Sequence, residues 1–242
     1  MRLPEGRTRF IVLPLAILGV VLVVVLVVYR LPLTAPGSNL VPDPTEIVLP
    51  EPRLDSDHSL EQTLLRRRSV REYSGEALTI DEVSQLLWAA QGITYARGFR
   101  TAPSAGATYP LETYLVVGNV IEVAPGVYRY DPARHRLEKV LEGDVRAGLT
   151  SAALGQRQVG EGAASIVFAA IYERTTQRYG ERGIRYVHME AGHAAQNVYL
   201  QAVALDLGTV VIGAFRDDEV SEVLGLPADE EPLYVIPVGH PA

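Results

Sequence analysis

The sequence predicts an α+β protein in which helices and strands are mixed rather than strictly alternating. Apolar residues at helical spacing mark several helices, and runs rich in Val, Ile and Tyr, bounded by Gly, Pro or Asp, mark five strands. The chain has 242 residues, 48% of them hydrophobic, which is enough for one good-sized core. We therefore expect one folded domain with an N-terminal appendage.

Composition excludes several classes of protein. The formal net charge of −7 argues against binding to nucleic acid, because affinity for a phosphate backbone needs a basic face. The chain has no cysteine, which excludes disulfides, thiolate metal sites and cysteine nucleophiles. Lys139 is its only lysine, so a run of arginines partly reflects composition.

Residues 10–29 carry no charge and are dominated by Val, Leu and Ile. At about 1.5 Å per residue, such a helix crosses a hydrocarbon core of ~30 Å, so we predict one transmembrane helix. Three arginines precede it and one closely follows, which by the positive-inside bias places residues 1–9 in the cytoplasm and the folded domain outside it. A cleavable signal peptide is the alternative, although this apolar run exceeds the usual ~7–15 residues. We thus expect a single-pass protein of the cell membrane.

Residues 30–58 are predicted to be a linker. They contain six prolines and little hydrophobic periodicity, a composition typical of a stiff, extended tether. The sequence therefore predicts that this stretch adds nothing to the core and that the folded domain covers residues 59–242.

Two helices are predicted at the start of the folded domain. A short apolar stripe indicates the first, formed by Leu60, Leu64 and Leu65. Thr79 and Glu82 form a capping box, which predicts that a second helix begins there. That helix is expected to end at Gly92.

The remaining elements follow in order. The predicted strands are Thr113–Val117, Val127–Tyr130, Ser165–Tyr172, Thr209–Ile212 and Leu233–Val238. The longest helix, about Ile184 to Leu207, lies between the third and fourth strands. The doublet Asp217-Asp218 is expected to begin a last helix, which continues through Leu224.

Arginines are concentrated at residues 66–71. Arg67, Ser69 and Arg71 alternate, so in an extended stretch they would project to one side. Guanidinium forks match the oxygens of a phosphate, which makes the segment a candidate phosphate site. The alternative is that these arginines only complement a helix C-terminus, a contribution of up to ~1 kcal/mol each.

Two segments of small residues are further candidates. Residues 100–110 could let backbone approach a flat ligand, with hydroxyls from Ser104 and Thr108, or could be an ordinary turn-rich connection. Gly213 and Ala214 directly follow a predicted strand and could present unobstructed backbone N–H groups. Glycines at strand ends are common, so this signal is weak alone.

Taken together, these segments resemble the FMN-binding stretches of the nitroreductase superfamily, most closely its SagB-type dehydrogenase branch. The resemblance runs from about residue 60 to the C-terminus. It is carried by Arg-Arg-Ser-x-Arg at 67–71, Pro-Ser-Ala-Gly at 103–106, Tyr-Pro-Leu-Glu at 109–112, Tyr-Gly-x-Arg-Gly-x-Arg-Tyr at 179–186, Glu-Ala-Gly-His-x-x-Gln-Asn at 190–197, Gly-Ala-Phe at 213–215 and Pro-Val-Gly-His-Pro at 237–241.

The resemblance implies a nitroreductase-like FMN-binding fold, an antiparallel-rich sheet flanked by helices, as a homodimer with two FMN molecules at its interface. It implies that the phosphate and ribityl chain are held by Arg67, Arg68, Ser69 and Arg71. It implies that Pro103, Ser104 and Gly106 line the ring, and that the backbone of Gly213 and Ala214 approaches flavin N5. His240 stands where relatives often have an arginine near the phosphate.

The implied activity is two-electron transfer, in which FMN takes hydride from one partner and passes it to another. NAD(P)H is the candidate donor, a small molecule or a peptide the candidate substrate, and Tyr109 and Tyr179 the expected catalytic residues over the flavin. The alternative is a non-catalytic flavin-binding or assembly module at the membrane. Because NAD(P)H is cytoplasmic, a domain outside the cytoplasm could not use free cytosolic NAD(P)H.

Two departures from the family pattern bear on the substrate. Ala107 stands where nitroreductases proper often have asparagine, which favours the SagB-type branch. Arg178-Tyr179 stands where azoline-oxidising members have a Lys-Tyr pair, and an arginine cannot act as a base at ordinary pH.

No metal site is expected. His188 and His193 lie five residues apart on a predicted helix, about 140° from each other around its axis. The two imidazoles therefore cannot share an ion as residues four apart do. The sequence also has no Gly-x-Ser-x-Gly motif of the kind that presents a hydrolase serine.

Overall fold

An antiparallel sheet of seven strands forms the centre of the domain in the computed structural model, which describes residues 45–242. The strands of the chain are β1 Glu46–Val48, β2 Ile93–Tyr95, β3 Phe99–Arg100, β4 Leu111–Val117, β5 Gly126–Asp131, β6 Arg136–Glu142, β7 Ala164–Ala170, β8 Gly208–Thr209 and β9 Glu231–Gly239. The order in the sheet is β1-β6-β5-β4-β7-β9-β8, with every neighbouring pair antiparallel. Strands β2 and β3 form a separate hairpin.

Seven α-helices surround this sheet in the described residues. They are α1 Leu60–Arg66, α2 Ile80–Gln91, α3 Arg146–Ala152, α4 Arg157–Glu161, α5 Glu173–Tyr179, α6 Arg182–Ala204 and α7 Asp217–Leu224. The predicted capping box of Thr79 and Glu82 is present at the start of α2, and Gly92 ends that helix. A second capping box, which the sequence reading overlooked, joins Ser59 and Gln62 at the start of α1.

Helices cover both faces of the sheet. Because side chains alternate along a strand, Leu115 and Ile166 pack with α2 and α6, while their neighbours Val116 and Val167 pack with α3, α4 and α7. The two central strands β4 and β7 are thus buried on both faces, which explains their continuous apolar sequences. The predicted α+β class with an antiparallel sheet is confirmed.

Several predicted boundaries change. The predicted strand Thr209–Ile212 is reduced to β8, Gly208–Thr209, with an isolated bridge between Ile212 and Val235. Strand β7 ends at Ala170, because Tyr172 already adopts helical geometry as the N-cap of α5. Strand β6 was not predicted, since it places charged residues around the single buried Leu137.

The prediction that residues 30–58 form a linker outside the core is wrong for residues 46–50. Glu46–Val48 pair with β6, and Leu49 is buried in the core. The Pro50 carbonyl accepts hydrogen bonds from Ser84 Oγ at 2.6 Å, and His135 Nε2 lies 2.9 Å from it. A proline is tolerated here because β1 is an edge strand. The folded domain therefore begins before residue 59.

The predicted transmembrane helix at residues 10–29 and the predicted cytoplasmic tail at residues 1–9 lie outside the described residues. Within residues 45–242, no helix combines the length and the apolar content that crossing a bilayer requires.

Candidate functional site

The arginine segment lies beside strand β8. After α1 ends, the backbone N–H of Val70 donates to the carbonyl of Thr209 at 2.9 Å. This pairing brings the Ser69 hydroxyl to 2.9 Å from the Tyr199 hydroxyl on α6. The guanidinium of Arg67 lies 5.0 Å from the centroid of the Tyr199 ring, a cation–π distance. Two of the four predicted phosphate residues therefore converge on Tyr199.

Tyr199 was missed by the sequence reading. Its hydroxyl accepts the backbone N–H of Val211 at 3.0 Å, so its own hydrogen is free to go to Ser69. Gly213 and Ala214 follow two residues later with exposed backbone, as predicted. The Gln156 side chain donates to the Ala214 carbonyl at 2.9 Å, which fixes this turn. We call Arg67, Arg68, Ser69, Arg71, Tyr199, Gly213 and Ala214 the arginine cluster.

The remaining arginines of the cluster have different surroundings. Arg68 donates to the carbonyls of Leu65 and Arg67, at 3.0 and 2.7 Å, which is the helix-capping role that the sequence analysis left open. Arg71 is exposed. A cavity of about 390 Å³ opens here, and its lining includes Arg66, Arg68, Tyr199, Asp206, Thr209 and Pro241.

His240 lies close to the start of α2. Its Nε2 atom is 3.8 Å from the Glu82 carboxylate, and its carbonyl accepts the backbone N–H of Ser74 at 2.9 Å. A carboxylate neighbour does not favour a phosphate on the same imidazole. The role of His240 in phosphate binding stays a prediction.

The predicted flavin loop contains a 3₁₀ turn at Ala105–Ala107 and an unusual backbone. Gly106, Ala107 and Tyr109 have φ values of 61°, 53° and 46°, a region that residues other than glycine rarely adopt. The Tyr109 N–H donates to Ser104 Oγ at 2.9 Å and holds the turn closed. Local strain of this kind persists only where surrounding contacts fix it.

Helix α5 contacts this loop. The guanidinium of Arg178 donates to the Gly106 carbonyl at 3.1 Å. A Cβ atom at Gly106 would lie 2.6 Å from the Tyr179 hydroxyl and 2.8 Å from Arg178 Nη1, so a larger residue would have to displace the ends of both side chains. The structure therefore brings Tyr179 and the loop together, while the predicted catalytic role of Tyr179 stays a prediction. The Tyr179 ring also packs edge-on against Tyr186, with centroids 5.2 Å apart.

Tyr109 is held by arginines. Its ring lies 4.6 Å from the Arg100 guanidinium carbon, and its carbonyl accepts from Arg174 at 3.1 Å. Arg174 in turn pairs with the Glu112 carboxylate at 2.6 Å. Burial lowers the pKa of Arg100, while Glu112 and Glu190 act in the opposite direction. Tyr109 is partly buried, and its predicted catalytic role stays a prediction.

Glu190 lies beneath the loop and is 2% exposed. Burial raises the pKa of its carboxyl to about 7, although a hydrogen bond from Ser104 and the charge of Arg100 lower it. The sequence analysis placed Glu190 in the motif at 190–197 but assigned it no role of its own. In the described part of the chain, no group of three or more His, Asp or Glu side chains could hold a metal ion. A glutamate among small apolar residues of a long helix was the available signal. We call Pro103, Ser104, Gly106, Tyr109, Tyr179 and Glu190 the loop cluster.

The two clusters lie on different flanks of α6. Glu190 and Tyr199 are nine residues apart, which corresponds to about 13.5 Å along the axis and about 180° around it. The face of α6 that packs into the core lies between them. The predicted site residues of one chain therefore form two separate clusters.

Comparison with known proteins agrees with this fold. A profile of the Nitroreductase family matches residues 64–240. The curated protein named "Putative nitroreductase MJ1384", from Methanocaldococcus jannaschii, is 51% identical over 198 residues, which cover 82% of this chain and 98% of that protein. The FMN reductase (NADPH) of Bacillus subtilis is 27% identical over 195 residues, covering 75% of this chain and 65% of the enzyme.

A solved structure is similar over nearly the whole chain. It is the Escherichia coli microcin synthetase McbBCD complex with truncated pro-MccB17 bound, one chain of which is 25% identical with a TM-score of 0.64. The match covers 98% of this chain and 85% of that one. Fold and relatives together define an α+β oxidoreductase domain. The chain belongs to the nitroreductase family.

Proposed function

We propose that this protein is an FMN-dependent oxidoreductase that binds FMN between two copies of itself and passes hydride from a donor to a small-molecule or peptide substrate. The observation that carries the proposal is the convergence of Arg67 and Ser69 on Tyr199. The Tyr199 hydroxyl also accepts the N–H of Val211, two residues before the exposed Gly213. When bound, FMN supplies the hydride chemistry, and the protein supplies binding, orientation and electrostatics.

The donor set of the arginine cluster fits a phosphate monoester. Arg67 offers a guanidinium positioned over Tyr199, Arg71 offers an exposed one, and Ser69 offers a hydroxyl. Guanidinium bonds to phosphate are charge-assisted and therefore about twice as strong as neutral ones. The neighbouring cavity is lined by Arg66 and Arg68 as well as by Asp206, so in a chain with net charge −7 it adds two further guanidinium groups beside the cluster.

The small-residue backbone fits a flat ring. Pro103, Gly106, Gly213 and Ala214 are all exposed. These residues would contact the ring, while Ser104 and Glu190 would keep the loop in place from beneath. The two halves belong to opposite flanks of α6, so one flavin would touch the arginine cluster of one copy and the loop cluster of the other.

Exposed apolar residues support the homodimer. Leu60, Leu64 and Leu65 of α1 are 59%, 51% and 75% exposed, and Met189 on the adjoining helix α6 is 51% exposed. Exposed apolar side chains on neighbouring elements are typical of an interaction surface. A two-fold dimer uses one self-complementary surface on both subunits, so we propose a second copy as its partner. We call this surface the α1–α6 face.

Tyr179 and Tyr109 are our candidates for residues over the flavin. Arg178 donates to the Gly106 carbonyl and lies 5.4 Å from the Tyr179 ring centroid, so it positions the loop and cannot accept a proton. We therefore propose SagB-type dehydrogenase chemistry without an arginine base. The bound pro-MccB17 in the similar McbBCD complex supports a peptide as one candidate substrate.

The electron donor and the location are further parts of the proposal. NAD(P)H is the candidate donor, as the name of the similar FMN reductase (NADPH) suggests. Residues 10–29 would anchor the protein in the cell membrane as a single-pass helix, with the folded domain outside the cytoplasm by charge bias. Free cytosolic NAD(P)H is the donor only if the folded domain faces the cytoplasm. If the domain lies outside, another reductant must take its place.

The visible spectrum of the purified full-length chain tests the proposal. We expect a yellow protein that releases FMN on denaturation and is bleached by added reductant, which a sealed, non-catalytic flavin module would resist. Arg67→Ala combined with Arg71→Ala should lose the colour. The matched control is Arg134→Ala combined with Arg157→Ala, two arginines 65% and 80% exposed elsewhere, and it should stay yellow. A folded, colourless protein that ignores added FMN would refute the proposal.

A further inference from the structure

A charged cavity of about 340 Å³ is lined by residues of hairpin β2–β3, of helix α5 and of the turn that joins β5 to β6. Its charged side chains are those of Arg100, Glu112, Arg129, Asp131, Glu138 and Arg174. None of these residues belongs to the arginine cluster or to the loop cluster. The cavity is therefore a separate concave site, and the proposed function does not use it.

Glu112 neutralises part of the positive charge in this cavity. Its carboxylate lies 2.8 Å from Arg129 Nη2 and 2.6 Å from Arg174 Nη2, and its side chain is 12% exposed. Arg129 Nη2 is also 3.5 Å from the carboxylate of the buried Glu230. Arg174 uses its Nη1 atom to donate to the carbonyl of Tyr109 at 3.1 Å. Both arginines thus have a carboxylate partner.

Asp131 and Glu138 are paired as well. Arg136 Nη2 lies 2.7 Å from Glu138 Oε1, and Arg136 Nε lies 3.5 Å from Asp131 Oδ2. The Asp131 carboxylate also accepts the backbone N–H of Ala133 at 2.8 Å, which helps to fix the turn between β5 and β6. These two carboxylates therefore have partners of their own and do not depend on Arg100.

Among the arginines of the cavity, Arg100 is the one without an ion pair inside the described part of the chain. Its Nη1 atom donates to Gln91 Oε1 at 2.8 Å, and its guanidinium lies over the Tyr109 ring. Burial lowers the pKa of Arg100 and outweighs the charges of Glu112 and Glu190, which act in the opposite direction. A half-buried guanidinium with unused donors is costly unless an anion accepts from it.

The amide of Gln91 is a second group with an unused donor. Gln91 is 1% exposed, and its Nε2 atom has no hydrogen-bond partner within residues 45–242. Because the Oε1 atom of the same amide accepts from Arg100, the two side chains are neighbours. Two adjacent side chains at this end of the cavity thus have N–H groups to spare, and both require an acceptor.

The ligand that fits this cavity is a monocarboxylate with an apolar body. Arg100 is one unpaired positive charge and balances one negative charge, whereas the three paired carboxylates in the cavity wall repel a phosphate dianion more strongly than a monoanion. A guanidinium binds a carboxylate through two parallel N–H···O bonds. Ile93 and Pro132 add apolar surface to the same wall.

We propose that this cavity is a binding site for small organic monocarboxylic acids, with Arg100 as its anchor. The carboxylate of the acid accepts from the N–H groups of Arg100 that Gln91 leaves unused, and the apolar body of the acid lies against Ile93 and Pro132. The inference goes beyond the proposed function and does not depend on a bound flavin.

Isothermal calorimetry of the full-length protein as purified tests the site, with benzoate as the probe. We expect benzoate to bind more tightly than benzamide, its neutral analogue, and more tightly than inorganic phosphate. Arg100→Gln should weaken benzoate binding at least tenfold, because it removes charge-assisted hydrogen bonds. Circular dichroism shows whether this variant is folded.

A matched pair of variants at Ala133 tests the site without changing Arg100. Ala133 lines the cavity and is exposed, so either substitution is tolerated by the fold. Ala133→Asp adds a negative charge at the cavity, whereas Ala133→Asn adds a side chain of the same shape without charge. We expect benzoate to bind about threefold more weakly to Ala133→Asp than to Ala133→Asn at low salt, and the difference to shrink as salt is added. If Arg100→Gln does not fold, this pair decides.

The combined variant Arg67→Ala with Arg71→Ala distinguishes this cavity from the arginine cluster, and it should bind benzoate as the natural protein does. The inference fails if benzamide or phosphate binds as tightly as benzoate, if a folded Arg100→Gln binds benzoate unchanged, if the two Ala133 variants bind it equally, or if the arginine-cluster variant loses it. A colourless protein that binds benzoate as expected would refute only the proposed function, and a yellow protein that ignores benzoate would refute only this inference.

Discussion

The hydroxyl of Ser69 lies 2.9 Å from the hydroxyl of Tyr199, although 130 positions separate the two residues in the chain. The contact joins the arginine segment to α6 and, through the Tyr199 hydroxyl, to the backbone of Val211. One phenol on α6 therefore connects two segments that carry predicted FMN contacts, residues 67–71 and residues 213–214.

Tyr199→Phe tests this relationship. The substitution removes the acceptor of the Val211 N–H and the partner of Ser69 but keeps the ring beneath Arg67. We expect a loss of about 1–2 kcal/mol in the free energy of unfolding, because a partly buried donor loses its bond, and a weaker FMN affinity. Denaturant unfolding and fluorescence titration with FMN measure the two effects.

Tyr95→Phe is the matched control for this substitution. Tyr95 lies in hairpin β2–β3, is 59% exposed and stacks on Phe99 with ring centroids 5.9 Å apart. Loss of its hydroxyl should change neither quantity measurably. Equal effects of the two substitutions would show that Tyr199 has no organising role.

Gly106→Ala should disturb the loop cluster by a clash rather than by backbone conformation alone. The new Cβ would lie 2.6 Å from the Tyr179 hydroxyl and 2.8 Å from Arg178 Nη1. Gly98→Ala is the control, because Gly98 has a φ of 78° and no atom within 4 Å of the added Cβ. Both variants place an alanine in the left-handed backbone region, which costs roughly 1 kcal/mol in stability.

We expect Gly106→Ala to weaken FMN binding at least several-fold beyond Gly98→Ala, as measured by titration of each variant with FMN. Equal affinities would mean that the contact of the loop with Tyr179 is unimportant for the ligand. A common loss of thermal stability in both variants is expected from the backbone alone.

The sequence predicts the helices of this fold better than the edge strands of its sheet. Thr79 and Glu82 identify α2 because the capping signal is local, and the small-residue stripe identifies α6 to within about three residues. Strand β1 could not be predicted, because its three residues are stabilised by pairing with β6 and by burial of Leu49. Such long-range pairing leaves no mark in a proline-rich sequence.

The sequence predicts individual residues of the candidate site but not how they are arranged in space. The motifs indicate Arg67, Ser69 and Gly106, whereas Tyr199 and Glu190 could not be assigned, because their roles depend on which flank of α6 faces which loop. Their separation by about 180° around the helix follows from nine residues at 3.6 per turn. This separation indicates two different surroundings only once the contacts of Glu190 and Tyr199 are known.

Leu65→Glu tests the proposed dimer. Leu65 is 75% exposed on the α1–α6 face, directly before the arginine cluster. A charge there would be desolvated on association, so we expect dissociation to monomers in sedimentation experiments and loss of bound FMN. Val48→Glu is the control, because Val48 is 79% exposed on β1, at the opposite sheet edge from β8. A Leu65→Glu variant that stays dimeric would contradict the proposed interface.

The pH dependence of stability should differ between the natural protein and Glu190→Gln. The pKa of Glu190 is about 7 in the folded protein and ordinarily 4.5, because burial disfavours the charged form. The folded state thus binds this proton more tightly than the unfolded chain does. The contribution of this proton to the free energy of unfolding is fully present below pH 4.5 and is lost as the pH rises through 7.

A pKa raised from 4.5 to about 7 corresponds to about 3 kcal/mol. The unfolding free energy of the natural protein should therefore fall by about this amount relative to that of Glu190→Gln between pH 4.5 and 7. Outside this range the two curves should run parallel. Subtracting the two curves cancels the titration of all other carboxyls, Glu230 included. Glu181→Gln, at an exposed position directly before the same helix, should give no comparable difference. Parallel curves for the natural protein and Glu190→Gln over the whole range would mean that the folded state does not favour the proton on Glu190.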